Sequence, residues 1–175
     1  MLNFQISEYD CAPTTFLNGL FFVLKRDEIP QKMIRVIYKN TLDCNLKIIN
    51  YCGTSRKAMK KICKKINKIS NNLNMDLRIQ YLSKKKCTWE SIRECLKEKG
   101  VAIIRSLLEV EHYYLITKID DENIYIWDPY IIKNTSYFYN NVFKINEINN
   151  TLRQDYSFGP IKKREFILIN IVKSK

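Results

Sequence analysis

The stretch "HYYLITKIDDENIYIWD", residues 112–128, decides the fold of this chain. It contains two runs rich in β-branched and aromatic residues, which are typical of strands, on either side of an acidic turn at 120–122. We therefore expect an antiparallel β-hairpin. Opposite residues in such a hairpin have numbers with a constant sum, about 242 here, so His112 and Asp128 are predicted at the same open end.

The length of the turn decides whether these two side chains share a face of the hairpin. A turn with an odd number of residues pairs even numbers with even numbers and puts both side chains on one face. A two-residue turn would put them on opposite faces. A site built from His112 and Asp128 therefore predicts a turn with an odd number of residues.

Further strand-like runs follow Gly100, whereas the residues before it are mostly helical in pattern. The runs at 101–108 and 165–172 read as strands, and 76–82 reads as an earlier one. The asparagine-rich stretch 134–151 is predicted to be irregular, with at most one short helix. Helices followed by an antiparallel sheet indicate an α+β fold in a single domain over residues 1–175.

Four helices are predicted, and two of them have clear ends. An apolar helix is expected at 12–24 and a second from about Pro30. The clearest amphipathic pattern covers 54–69, with Thr54 or Ser55 as the N-cap and lysines along its outer face. A fourth helix is expected over 88–100, capped by Thr88 and closed by Gly100.

The net charge of +12 limits the function classes only loosely. It suits an acidic partner, such as nucleic acid, an anionic membrane surface or an acidic protein, but a lysine-rich codon bias explains part of it. We interpret the lysine face of 54–69 as a solvated surface. The aromatic residues fit strand and core positions, so a nucleic-acid partner is not expected.

The chain is expected to be cytoplasmic and without a membrane span. No apolar run reaches the roughly 18 residues that a span needs, and residues 1–10 lack the basic and apolar regions of a signal peptide. There is no glycine-rich phosphate loop. The six cysteines form no C-x-x-C pair and there is a single histidine, so neither a metal nor a cofactor is expected.

Cys11 is the cysteine with a candidate chemical role, although a packing role at a helix start is the alternative. It directly precedes the apolar helix in "QISEYDCAPTTFLNGL", residues 5–20. The unpaired N–H groups of a helix N-terminus favour a thiolate. Thiol catalysis also needs a base and a group that orients it, for which His112 and Asp128 are the candidates. The Cys11 N–H and the Gln5 side-chain amide are candidate donors to an oxyanion.

These residues also carry a resemblance to a known family. Gln5 and Cys11 with the string "CAPTTFLNGL", together with "HYYLITKIDDENIYIWDPY", resemble the papain-like cysteine peptidases of the bacteriocin-processing, double-glycine-leader type. The match is closest to their small stand-alone relatives. The resemblance implies a papain-like fold with Gln5 in the oxyanion site, Cys11 as nucleophile, His112 as general base and acid, and Asp128 as the orienting group. Ala12 stands where members of that family often have glycine.

The second nucleophile distinguishes two enzyme functions. If water resolves the Cys11 acyl-enzyme, the protein is a peptidase or amidase acting on a peptide or amide, which the resemblance favours. If an amine resolves it and the donor is a thioester, the protein is an acyltransferase of the kind used in natural-product biosynthesis, and its positive charge suits an acidic acyl-carrier protein. A third hypothesis is a binding module without catalysis, against which the intact set of four residues counts.

Overall fold

A six-stranded antiparallel sheet forms the centre of the protein. The computed structural model describes residues 2–44, 53–107, 111–131 and 136–172. The strands are β1 (Leu77–Ser83), β2 (Val101–Leu107), β3 (Glu111–Ile119), β4 (Asn123–Trp127), β5 (Asn141–Lys144) and β6 (Glu165–Ile171). Their order across the sheet is β1-β6-β2-β3-β4-β5. The central strands β6, β2 and β3 are the most apolar, as expected for strands covered on both faces.

Helices cover both faces of this sheet. The longer helices are α1 (Cys11–Val23), α2 (Gln31–Asn40), α3 (Arg56–Asn72) and α4 (Trp89–Lys97), and α5 (Ile145–Ile148) is a single turn. Side chains of α1, α2 and α3 form one apolar cluster with one face of the sheet. Side chains of α4 and α5 and the buried ring of Phe158 form a second cluster on the other face. The α+β class with an antiparallel sheet is thus confirmed.

Most predicted elements are found within one or two residues of their expected bounds. The N-caps are also found, since the side-chain oxygen of Ser55 accepts a hydrogen bond from Ala58 N and that of Thr88 from Ser91 N. The prediction of irregular structure over 134–151 is wrong for residues 141–144, which form β5. Their short sequence "NVFK" has no clear strand pattern of its own, and the strand arises from main-chain pairing with β4. Residues 134 and 135 of that predicted irregular stretch lie outside the described residues. Of the six cysteines, Cys52 also lies outside them.

A buried ion cluster anchors the start of α3 over the sheet. The Glu165 carboxylate lies 3.0 Å from Arg56 Nε and 3.9 Å from Arg105 Nε, and it accepts a hydrogen bond from the Tyr113 hydroxyl. Burial raises the pKa of Glu165, an effect that the two guanidinium groups oppose. Because Tyr113 directly follows His112, this cluster places the beginning of α3 at the same end of the sheet as His112.

Within the described residues, no helix has the length and apolar content to cross a membrane.

The end of α4 differs in detail from the sequence prediction. The residue with left-handed backbone is Lys99, at a φ of 59°, rather than Gly100. The N–H of Gly100 donates to Cys95 O and that of Lys99 to Leu96 O, which is the Schellman pattern of helix ends. Gly100 is required for another reason. A Cβ at this position would lie 2.6 Å from the main-chain oxygen of Ile169 in β6.

Replacing Gly100 with alanine should therefore destabilise the fold. The added methyl group meets main chain that cannot move without disturbing the pairing of β6, so we expect Gly100→Ala to lower the free energy of unfolding by about 1–3 kcal/mol. Urea denaturation followed by circular dichroism measures this. Lys97→Ala, at an exposed position of the same helix, is the matched control and should change it by less than about 0.5 kcal/mol. Equal effects of both changes would contradict the close-contact explanation.

Candidate active site

The helix α1 carries Cys11 as its first residue and holds it against the sheet. The side chain of Cys11 is buried. One turn further on, the Thr15 hydroxyl donates to the main-chain oxygen of Tyr113 at 3.0 Å. This bond fixes α1 beside the start of β3, so Cys11 lies next to His112. As the first helical residue, Cys11 has a main-chain N–H with no acceptor inside the helix.

His112 and Asp128 lie on the same face of the hairpin, but a bulge rather than the turn alone produces this arrangement. Three residues separate β3 from β4, yet the pair nearest the turn is Ile119 with Ile124, whose numbers sum to 243. The register then shifts between Ile116 and Lys118, and Ile116 pairs with Ile126, giving a sum of 242. The predicted odd number of turn residues is therefore found between the strand ends. The pairing next to the turn, however, joins an odd-numbered residue to an even-numbered one. The bulge at Thr117 restores the pairing of even with even numbers.

The imidazole of His112 links the thiol to the carboxylate. Its Nε2 lies 2.7 Å from Asp128 Oδ1. Burial alone would lower the pKa of His112, but hydrogen bonds to Asp128 and to the Cys11 side chain raise it to about 10. Because Asp128 occupies Nε2, Nδ1 is the ring nitrogen left for the hydrogen bond with Cys11. The raised pKa keeps the imidazole protonated at neutral pH.

Asp128 has a hydrogen bond on each carboxylate oxygen. Oδ1 accepts from His112 and from Tyr130 N at 2.8 Å, and Oδ2 accepts from the Tyr156 hydroxyl at 2.5 Å. Burial would raise the pKa of Asp128, but these hydrogen bonds and the His112 charge lower it overall. Asn140 fixes the main chain of Asp128, accepting from its N–H at 2.8 Å and donating to its carbonyl oxygen at 2.7 Å. The carboxylate is thus both ionised and immobile.

Tyr156 and Asn140 are the two supporting residues that sequence reasoning missed. Tyr156 lies in the connection between α5 and β6, with a left-handed φ of 62°, and its carbonyl oxygen accepts from the Tyr114 hydroxyl at 2.5 Å. Its ring packs at 4.8 Å from that of Phe143. Only long-range packing brings it to Asp128. Asn140 could have been suspected as a polar residue in a run that precedes a strand, but the sequence holds many asparagines.

The segment carrying Gln5 is tied to both layers of the site. Trp127 Nε1 donates to Asn3 O at 3.1 Å, and Gln5 N donates to Pro129 O at 2.9 Å. The side chain of Asn18 in α1 donates to Asn3 O at 2.8 Å. These bonds hold Gln5 between the start of α1 and the end of β4. The side-chain Nε2 of Gln5 donates to Ser7 O at 2.7 Å, which leaves its second N–H for another acceptor.

Asp10 organises the loop between Gln5 and Cys11. Its carboxylate accepts hydrogen bonds from Ile6 N at 3.0 Å, from Ser7 N at 2.7 Å and from the Ser7 hydroxyl at 2.7 Å. Burial would raise the pKa of Asp10, but these hydrogen bonds lower it overall. Its side chain therefore faces the preceding loop and makes no cap to α1. The sequence offers a signal for this role, since aspartate commonly binds nearby main-chain N–H groups.

The other described cysteines differ from Cys11 in their surroundings. Burial raises the pKa of Cys63, that of Cys87 to about 12 and that of Cys95 to about 11. Cys63 and Cys95 lie on the apolar sides of α3 and α4. Cys44 is half-buried. Of the described cysteines, Cys11 is the one whose thiol makes a hydrogen bond with the imidazole of His112.

The candidate site therefore brings together three of the four predicted residues by direct contact and holds the fourth nearby. Cys11, His112 and Asp128 form a hydrogen-bonded series, while Gln5 is linked through main chain to Pro129. Such a series can carry out nucleophilic attack with proton transfer. Within the described ranges, no group of three or more histidine, cysteine, aspartate or glutamate side chains could hold a metal ion. The sequence matches no known family model, and the search of curated proteins finds no match.

The single histidine makes the charge state of the site directly measurable. Proton NMR of the imidazole should give one titration with a midpoint at about pH 10. Because this pKa lies above the ordinary value of about 6.5, the imidazolium stabilises the fold fully below about pH 6.5 and loses that contribution as pH rises through about 10. Asp128→Asn should lower the midpoint, and the exposed-turn control Asp121→Asn should not. A native midpoint near 6.5 would contradict the hydrogen-bonded series.

Removing the Tyr156 hydroxyl tests whether the carboxylate depends on it. The hydrogen bond from Tyr156 helps to lower the pKa of Asp128, so Tyr156→Phe should raise that pKa. The acid limb of Cys11 alkylation against pH should then move to higher pH, whereas the rate at neutral pH should change by less than about twofold because Asp128 stays ionised there. The matched control is Tyr125→Phe, which removes a 2.7 Å tyrosine–aspartate hydrogen bond at the far end of the hairpin. An identical acid limb in both variants would contradict the role of Tyr156.

Proposed function

We propose that this protein is a papain-like cysteine enzyme that transfers acyl groups through Cys11, acting as a peptidase or amidase on a specific peptide or amide. One observation carries the proposal. The hydrogen-bonded series from Asp128 through His112 to Cys11 ends on a thiol at the first position of a 13-residue helix. A helix N-terminus and a neighbouring imidazolium both stabilise the negative charge that a nucleophilic sulfur carries.

The acylation step follows from the positions of these groups. The thiolate Sγ attacks the carbonyl carbon of the substrate, and the carbonyl oxygen becomes an oxyanion. The main-chain N–H of Cys11 and the second N–H of Gln5 Nε2 donate to that oxygen. His112 transfers its Nδ1 proton to the leaving amine as the carbon–nitrogen bond breaks. The products of this step are a free amine and a thioester on Cys11.

Deacylation reverses the proton movement. Neutral His112 removes a proton from water, the hydroxide attacks the thioester carbon, and the carbon–sulfur bond breaks. The thiolate and the imidazolium are restored and a carboxylic acid leaves. Asp128 stays ionised throughout and keeps the imidazole in the orientation that both steps require.

A specific observation also favours a second candidate, an amide-forming acyltransferase. Six lysines line the outer side of α3, and no acidic residue occurs from Ser55 to Met75. Five of these lysines are exposed and Lys65 is half-buried. Such a surface suits an acidic acyl-carrier protein that delivers a thioester. In this reaction an amine replaces water in the deacylation step.

Product analysis separates the two candidates. The protein is incubated with a peptide mixture, and separately with a carrier-bound acyl thioester with and without an amine, and products are followed by mass spectrometry. We expect peptide cleavage. An amide product formed only from the thioester would establish the acyltransferase instead.

Loss of the thiol provides the accompanying control. Cys11→Ala should reduce either activity by at least about 10³-fold, because the covalent step is removed. Cys44→Ala removes a half-buried thiol outside the series and should leave the activity within about twofold. Both candidates would be overturned if Cys11→Ala kept full activity and if iodoacetamide under mild conditions did not label Cys11 of the wild-type protein.

A further inference from the structure

A buried arginine, Arg164, ties three surface segments together just before β6. Its guanidinium group donates to the main-chain oxygens of Gly159 at 3.0 Å, Asn150 at 2.9 Å and Cys87 at 3.4 Å. Its carbonyl oxygen accepts from Lys84 N at 3.0 Å. Because one arginine bonds to all three segments, their main chains lie side by side. We call the surface that they form the basic face; it consists of residues 84–87, 150–153 and 159–163.

The charged side chains that the basic face exposes are all cations. No acidic residue occurs in the three segments. The exposed cations are Lys84, Lys85, Lys86, Arg153, Lys162 and Lys163. Within the part of the chain that the structure describes, none of these six forms an ion pair. They outnumber the exposed acidic residues Glu90 and Asp155, which follow two of the segments by two or three positions. The basic face therefore has an uncompensated positive charge.

Two apolar side chains are exposed among these cations. Leu152 is 63% exposed and Ile161 is 44% exposed. Leu152 directly precedes Arg153, and Ile161 directly precedes Lys162 in a single 3₁₀ turn. The turn that carries Leu152 is held by a hydrogen bond of 2.8 Å from Leu152 N to Asn150 Oδ1. Apolar side chains beside clustered lysines suit a lipid surface, because the former enter the headgroup layer while the latter meet anionic headgroups.

We propose that the basic face binds the surface of an anionic lipid bilayer, as a peripheral contact without any membrane-spanning segment. Charge complementarity with anionic headgroups and the exposed Leu152 and Ile161 both favour this partner. The inference goes beyond the chemistry of Cys11 and does not depend on it.

The composition of the basic face argues against the other polyanionic partners. Its three segments contain five lysines and no aromatic residue. Interfaces with other proteins are depleted in lysine and enriched in aromatic residues. Surfaces that bind single-stranded nucleic acid use aromatic side chains on which the bases stack. Neither partner accounts for the exposed leucine and isoleucine.

Co-sedimentation with vesicles tests this inference on the full chain. The vesicles consist of phosphatidylcholine alone or of phosphatidylcholine with about 30% phosphatidylserine, in about 0.1 M salt. We expect binding to the second kind only. Each lysine near such a surface contributes about fivefold to binding. The triple change Lys84→Gln, Lys85→Gln and Lys86→Gln should therefore weaken binding by about 100-fold.

A second variant tests the apolar contribution, and a third is the matched charge control. Leu152→Ser combined with Ile161→Ser should weaken binding by about tenfold, because less apolar surface leaves water. The control is the triple change of three exposed cations of α2, and it should weaken binding by less than about threefold: Lys32→Gln, Arg35→Gln and Lys39→Gln. Every variant should keep the wild-type rate of Cys11 alkylation by iodoacetamide, which shows that it has folded.

Several results would overturn the inference. Equal losses in the two triple variants would do so, because net charge alone would then explain the binding. Equal binding to both kinds of vesicle, binding to neither, or no effect of the apolar changes would also contradict it. So would tighter binding of polyglutamate or of a single-stranded oligonucleotide than of the anionic vesicles. None of these results affects the proposed function, which would be overturned separately by absence of any iodoacetamide reaction at Cys11.

Discussion

The register between β3 and β4 is the constraint on which the rest of the site depends. A bulge at Thr117 changes the sum of paired numbers from 243 to 242. With that sum, Asp128 lies diagonally across from His112 on the same face, within reach of its ring. Without the shift, the two side chains would point to opposite faces. One extra residue in a strand thus decides whether the imidazole meets a carboxylate.

The sequence carries enough information for the elements and for the main residues of the site. Runs of β-branched and aromatic residues identify five of the strands, and the constant sum of paired residue numbers in the hairpin brings His112 and Asp128 to one end. The bulge was not predictable, because no glycine or proline marks Thr117. Tyr156 was not predictable either, since its contact with Asp128 depends on packing against rings such as Phe143 that are close only after folding. Sequence patterns report local geometry, and these contacts are long-range.

The site is assembled from two layers, and hydrogen bonds hold its charged side chains in place. The helical layer supplies the thiol and the sheet supplies the imidazole and the carboxylate. The Asp10 carboxylate organises the loop in front of Cys11, and Asn140 holds the main chain of Asp128. Each charged group therefore has its orientation fixed before any substrate arrives. Such preorganisation avoids rearrangement during a reaction in which charge moves between sulfur, oxygen and nitrogen.

The two buried polar residues of α1, Thr15 and Asn18, have a consequence beyond the bonds themselves. Apolar contacts alone would allow a helix to slide along a sheet at small cost, because one leucine packs much like another. Thr15 on Tyr113 O and Asn18 on Asn3 O are satisfied at one axial position only. A slip by one turn, about 5.4 Å, would break both and leave their polar groups buried without partners. These two hydrogen bonds therefore fix the position of α1 along the sheet, and with it the position of the Cys11 thiol.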